Sequence, residues 1–131
     1  MIVVTLHCGY DKPFESSLPE DIKIDLEKKG ATVVTSSHAL SGIERSISEK
    51  HSGIYPVLLI GDTLKLFGQG MKVVAEIAVM ASDAGCLSGK DIVSIGGTND
   101  GADTAVILKP AHQNNFFHMR IREIICKPRK F

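Results

Sequence analysis

Cysteine is scarce in this chain and never paired. Cys8, Cys86 and Cys126 are odd in number and far apart, and no CxxC occurs. That spacing supports neither a zinc site nor a disulfide framework and points to reduced thiols. Histidine pairs at HxH or HxxxH spacing are missing too, so no metal site is expected. No GxSxG elbow is present, which leaves Ser-His-Asp hydrolysis without its nucleophile turn. An excess of one charge is also lacking: 15 basic and 15 acidic side chains give a formal net charge of zero. A broad nucleic-acid surface is therefore not expected. Lys127-Pro128-Arg129-Lys130 is a local basic exception, read as a solvated terminus. Met1 to Leu6 lacks the charged start and cleavage site of a signal peptide, and no run nears the length of a membrane span. These absences lead to the expectation of a soluble, cytoplasmic protein that binds neither membrane nor nucleic acid.

What is present is a mixed pattern. The 131 residues suit one domain, 1–131, and 44% are hydrophobic, so a core can be buried. Met1 to Leu6 and Ala31 to Thr35 read as β-branched strands. Between them Ser17-Leu18-Pro19-Glu20 has the form of a capping box, and Leu18, Ile22 and Leu26 follow at helical spacing up to Gly30. Ser41-Gly42-Ile43-Glu44 has the form of a second capping box. Pro56 to Phe67 reads as a buried helix and Gly68-Gln69-Gly70 as a hinge. Met71 to Ala84 carries a strong apolar stripe in which Glu76 and Asp83 fall on the polar side, solvated or paired with Lys72. Asp91 to Ile95, Thr104 to Leu108 and Arg120 to Cys126 read as strands, the first two antiparallel because their link is short. Ala111 to Phe117 is irregular or briefly helical. The order implies a layered α/β domain with a mixed, mostly parallel sheet.

In open α/β sheets ligands sit beyond the carboxyl ends of parallel strands. That rule selects His7, Cys8, Gly9 and Tyr10 after the first strand and Ser36, Ser37 and His38 after the second. It also selects Gly97, Thr98, Asn99 and Gly101 after the third, and Ala102, Asp103 and Thr104 are taken with that loop as candidate binding residues. Three glycines in Gly96-Gly97-Thr98-Asn99-Asp100-Gly101 allow positive φ and converging amides, a form suited to a phosphate. Asp103 there either caps the loop or bonds a ligand hydroxyl. His7 and His38 either bond neighbouring carbonyls or serve a ligand as donor, acid or base. Glu44 and Arg45 look like a reacting pair, although the capping box accounts for Glu44. No catalytic constellation emerges.

Several segments together carry a resemblance: Thr35-Ser36-Ser37-His38-Ala39-Leu40-Ser41-Gly42, Phe67-Gly68-Gln69-Gly70-Met71-Lys72 and Glu76-Ile77-Ala78-Val79-Met80. With them go Gly96-Gly97-Thr98, Gly101-Ala102-Asp103-Thr104-Ala105 and Ile121-Arg122-Glu123-Ile124-Ile125 before Pro128-Arg129. The chain resembles the pyruvate kinase α/β domain-like family over nearly its whole length. Members look like the C-terminal regulatory domain of pyruvate kinase without the catalytic barrel. The resemblance implies that fold without kinase activity, and FMN as the ligand. Two departures stand out. The family pattern opens with an additional βα unit, so this chain starts at its second strand, which leaves a sheet edge open for another chain. The family also favours a basic residue where Asp100 stands, which implies weaker anion binding here.

Three functions follow from this reading. The first is a module that holds FMN or another phosphorylated metabolite at the strand ends. The second is a structural or regulatory subunit without a ligand, assembled as a homo-oligomer through the open edge or the Pro56 to Phe67 helix. The third is a flavin-dependent enzyme that uses His38 or His7.

Overall fold

The computed structural model describes residues 1–98 and 101–131. The chain begins with a βαβ unit: β1 (Ile2–Thr5), α1 (Glu20–Lys28) and β2 (Thr32–Thr35). β1 and β2 pair in parallel, with Ile2 opposite Thr32 and Thr5 opposite Thr35. The α1 crossover supplies the length that a parallel pair needs. Neither anticipated capping box forms at its own helix. Pro19 is the N-cap of α1 with no side-chain cap, and Ser17 instead donates to Asp11 at 2.5 Å. The other end of α1 is closed as the glycine implied. Gly30 takes φ +84°, its N–H reaches the Glu27 carbonyl, and the Ala31 N–H reaches that of Leu26.

Three helices follow: α2 (Gly42–Ser48), α3 (Pro56–Lys65) and α4 (Gln69–Asp83). In α2 the N-cap Ser41 makes no side-chain cap bond. Glu44, one turn on, reaches across to the Leu58 N–H at 2.7 Å and so caps the first turn of α3. Gly68, at φ +108°, is the N-cap of α4, so the expected hinge is the entry to a helix. Only Gly61 of α3 is buried, so that helix is less enclosed than its apolar composition suggests.

β3 (Ile92–Thr98), β4 (Gly101–Lys109) and β5 (Arg120–Cys126) form an antiparallel sheet, with a 3-10 turn over Gln113–His118. Short links between consecutive strands permit only antiparallel return. The fold is therefore mixed α/β, but the strands do not join into one mostly parallel sheet. Among the described residues there is one parallel pairing, β1 with β2, and a separate three-stranded antiparallel sheet.

Both sheets pack on α4, the most buried element. Met71, Val74 and Ala78 of α4 meet Val106 and Leu108 of β4 in a fully buried cluster. Val74, Val106 and Leu108 are 0% exposed. Burying each such side chain contributes about 1.5–3 kcal/mol, so this seam fixes the sheet to the helix. Ser94 of β3 adds a hydrogen bond to the Val74 carbonyl at 2.9 Å. No helix is long and apolar enough to cross a membrane among the described residues.

Candidate functional site

β1 and β2 end side by side, and their last residues are tied together: the Thr5 and Thr35 hydroxyls lie 2.8 Å apart. The chain leaves β1 into His7, Cys8, Gly9 and Tyr10, and leaves β2 into Ser36, Ser37 and His38. Gly9 turns back at φ +82°, its N–H bonded to the Glu15 carbonyl, which brings Tyr10 over the strand ends. The rings of His7, Tyr10 and His38 then cluster. Their centroids are 4.9 Å apart for His7–His38, 5.5 Å for His7–Tyr10 and 5.6 Å for Tyr10–His38.

These rings border a cavity of about 790 Å³ that Ser36, Ser37, Glu44 and Arg45 also line. The size falls within the usual range for a ligand site of roughly 300–1,000 Å³. Hydroxyls, imidazoles and a guanidinium supply donors, Glu44 and Asp83 add carboxylates, and Val57 and Met80 give an apolar patch. His7 Nδ1 lies 2.8 Å from the Cys8 carbonyl. A carbonyl only accepts, so Nδ1 carries the proton and Nε2 is the atom left to exchange one.

His38 is half-buried, and its pKa is lowered from the ordinary 6.5, first by desolvation. Lys72, His7 and Arg45 push in the same direction, and Glu76 opposes them. Of the two expectations for Glu76, solvation or pairing with Lys72, the structure shows the pairing. Glu76 is 5% exposed, ion-paired with Lys72, and accepts the Leu40 N–H at 2.8 Å. This buried pair anchors the loop that carries His38.

The described part of the glycine-punctuated segment is strand: Gly96 and Gly97 lie in β3 without positive φ, and Gly101 opens β4. Gly97 pairs with Ala102 and Thr98 with Gly101, with a register shift at Gly96/Gly97. Gly96 and Gly97 serve close approach. A Cβ on Gly97 would sit 1.7 Å from the Gly101 carbonyl oxygen, and one on Gly96 2.8 Å from Val73. Asp103 orders the hairpin, accepting from Thr98 at 3.1 Å and Thr104 at 2.6 Å. The contrast drawn at Asp100, and Asn99 beside it, lie outside the described residues.

The positions selected from sequence thus divide. His7, Ser36, Ser37 and His38 share the large cavity, with Gly9 in its supporting turn. Thr98 and Asp103 line a separate cavity of about 390 Å³ with Lys65, Gln69, Pro128, Lys130 and Phe131. Gly97, Gly101, Ala102 and Thr104 line neither. Tyr10, which the strand-end rule also selected, lines the large cavity, as does Arg45, which sequence alone offered only as half of a reacting pair with Glu44. The three cysteines are free, and no group of three or more His, Cys, Asp or Glu gathers among the described residues. No family model matches the chain.

Proposed function

We propose that this chain binds FMN or another phosphorylated metabolite in the cavity beyond β1 and β2, and has no pyruvate kinase activity. The observation that carries this reading is the cluster of three rings beside a hydroxyl-rich loop. His7, Tyr10 and His38 offer faces and edges for a planar aromatic system. Ser36, Ser37 and Arg45 offer neutral and charged donors for a phosphate. His38 and His7 add donors when protonated.

In the same reading the two sheets belong to a pyruvate kinase C-terminal-like domain, which the β1–α1–β2 unit and the β3–β4 hairpin support. Homo-oligomer formation belongs to it too. Val93 and Ile95 are 57% and 56% exposed on β3, a larger apolar display than a strand in water favours.

The test is direct. Purified protein is titrated with FMN, riboflavin and inorganic phosphate, with melting temperature and flavin fluorescence as readouts. FMN should raise the melting temperature more than riboflavin, and His38→Ala should weaken the response. Equal responses to FMN and riboflavin would remove the phosphate from the proposal. No response to FMN or to a panel of phosphorylated metabolites would overturn it.

A further inference from the structure

Between the two sheets runs a groove of about 340 Å³, floored by Ile77, Ala78 and Ala81 of α4. Ile2 and Val4 of β1 form one wall. The other is Ile92, Val93, Ser94 and Ile95 of β3. Successive strand residues point to opposite faces, so four consecutive residues can border one cavity only if it runs along the edge of β3. That edge is the free one, because the other side of β3 pairs with β4. β1 likewise has a single partner, β2. No pairing joins β1 to β3, although both pack on α4.

The chemistry of the walls is narrow. None of the side chains named here is ionisable, and the hydroxyl of Ser94 is already spent on the Val74 carbonyl. The polar groups still to be satisfied at the rims are main-chain N–H and C=O groups. A two-stranded sheet such as β1–β2 is marginal alone and gains from further pairing. Small residues on the floor, Ala78 and Ala81, let a backbone come close.

We propose that the groove receives an extended segment of a partner polypeptide, uncharged, with β-branched side chains at alternate positions. It pairs with β1 on one side and β3 on the other by strand addition. The two sheets then become one, with the order β2, β1, partner, β3, β4, β5. A charged segment is disfavoured because no side chain of the lining, Met1 and Leu87 included, offers a counter-charge. β5 also has a free edge, but its residues are exposed throughout. The groove presents two strands over an apolar helix face.

The probe is a capped heptapeptide of alternating threonine and valine, compared with the same peptide N-methylated at every residue, because successive N–H groups of a strand point to opposite edges. Amide hydrogen exchange is followed on the intact protein. The unmodified peptide should slow exchange about tenfold or more in both Ile2–Thr5 and Ile92–Ile95, and leave β5 unchanged. The methylated peptide, deprived of donors, should slow neither rim. Equal protection by both peptides would overturn main-chain pairing. Protection of one rim alone, of β5, or of no strand would overturn the two-sided site.

Discussion

Glu76 accepts the main-chain N–H of Leu40 at 2.8 Å, joining the middle of α4 to a loop 36 residues earlier. Its second oxygen takes the Lys72 ammonium, and both side chains are nearly inaccessible to water. Glu76→Ala strands a buried cation and a buried amide together. It should cost about 3–5 kcal/mol in urea unfolding. Lys72→Met combined with Glu76→Gln removes both charges and keeps an acceptor for Leu40, so it should cost clearly less. A double variant as unstable as Glu76→Ala would mean that the ion pair itself carries the stability.

Glycines near the β3–β4 hairpin should differ sharply in tolerance. A Cβ on Gly70 would lie 2.2 Å from the Thr104 hydroxyl and 2.4 Å from Asp103. Gly70→Ala should therefore destabilise by about 1–3 kcal/mol, as overpacking does. Gly101 has open space around its Cβ position, so Gly101→Ala should stay within about 0.5 kcal/mol of the parent. Similar melting temperatures for the two variants would contradict the close-approach role.

Glu44 caps a helix that is not its own. Glu44→Ala should loosen the first turn of α3 and cost about 1 kcal/mol. Hydrogen exchange would show this as faster exchange at Leu58, with α2 little changed. Faster exchange confined to α2 would restore the local capping box.

The lowered pKa of His38 makes a pH prediction. Between that lowered value and 6.5 the folded state binds fewer protons than the unfolded chain. The contribution of His38 to stability therefore rises with pH through this window, falls as pH drops, and levels off below the folded pKa. The urea midpoint of the parent should decline from about pH 8 to about pH 5 more steeply than that of His38→Gln. Matching slopes would show that desolvation at His38 is not linked to folding.

Local pattern carried much of this fold. Val3 and Val4, Val33 and Val34, and the stripe through Val74 and Ala78 announce their own elements. Gly30 announces its helix end. What was not legible depended on distant partners. Glu76 sits on a helix position that reads as polar, and only the fold brings Leu40 to it. Glu44 satisfies a local capping pattern, yet its real acceptor role lies 14 residues on. Glycine is ambiguous in kind, since positive φ and close approach select the same residue, and here Gly96 and Gly97 serve the second. Register between strands that are not consecutive leaves no local mark, so the division into two sheets was not visible. The strand-end rule brought His7, Ser36, Ser37 and His38 to one cavity but not the β3–β4 positions, because it depends on topology and holds where strands run parallel.

The central claim is that a phosphorylated aromatic ligand occupies the cavity formed by His7, Tyr10 and His38. The most direct measurement is an amide and imidazole NMR titration of the intact protein with FMN. The account predicts saturable shifts concentrated at His7, Tyr10, Ser36, Ser37 and His38, with smaller ones at Arg45. Shifts confined to Thr98 and Asp103, or no saturable shift at all, would contradict it.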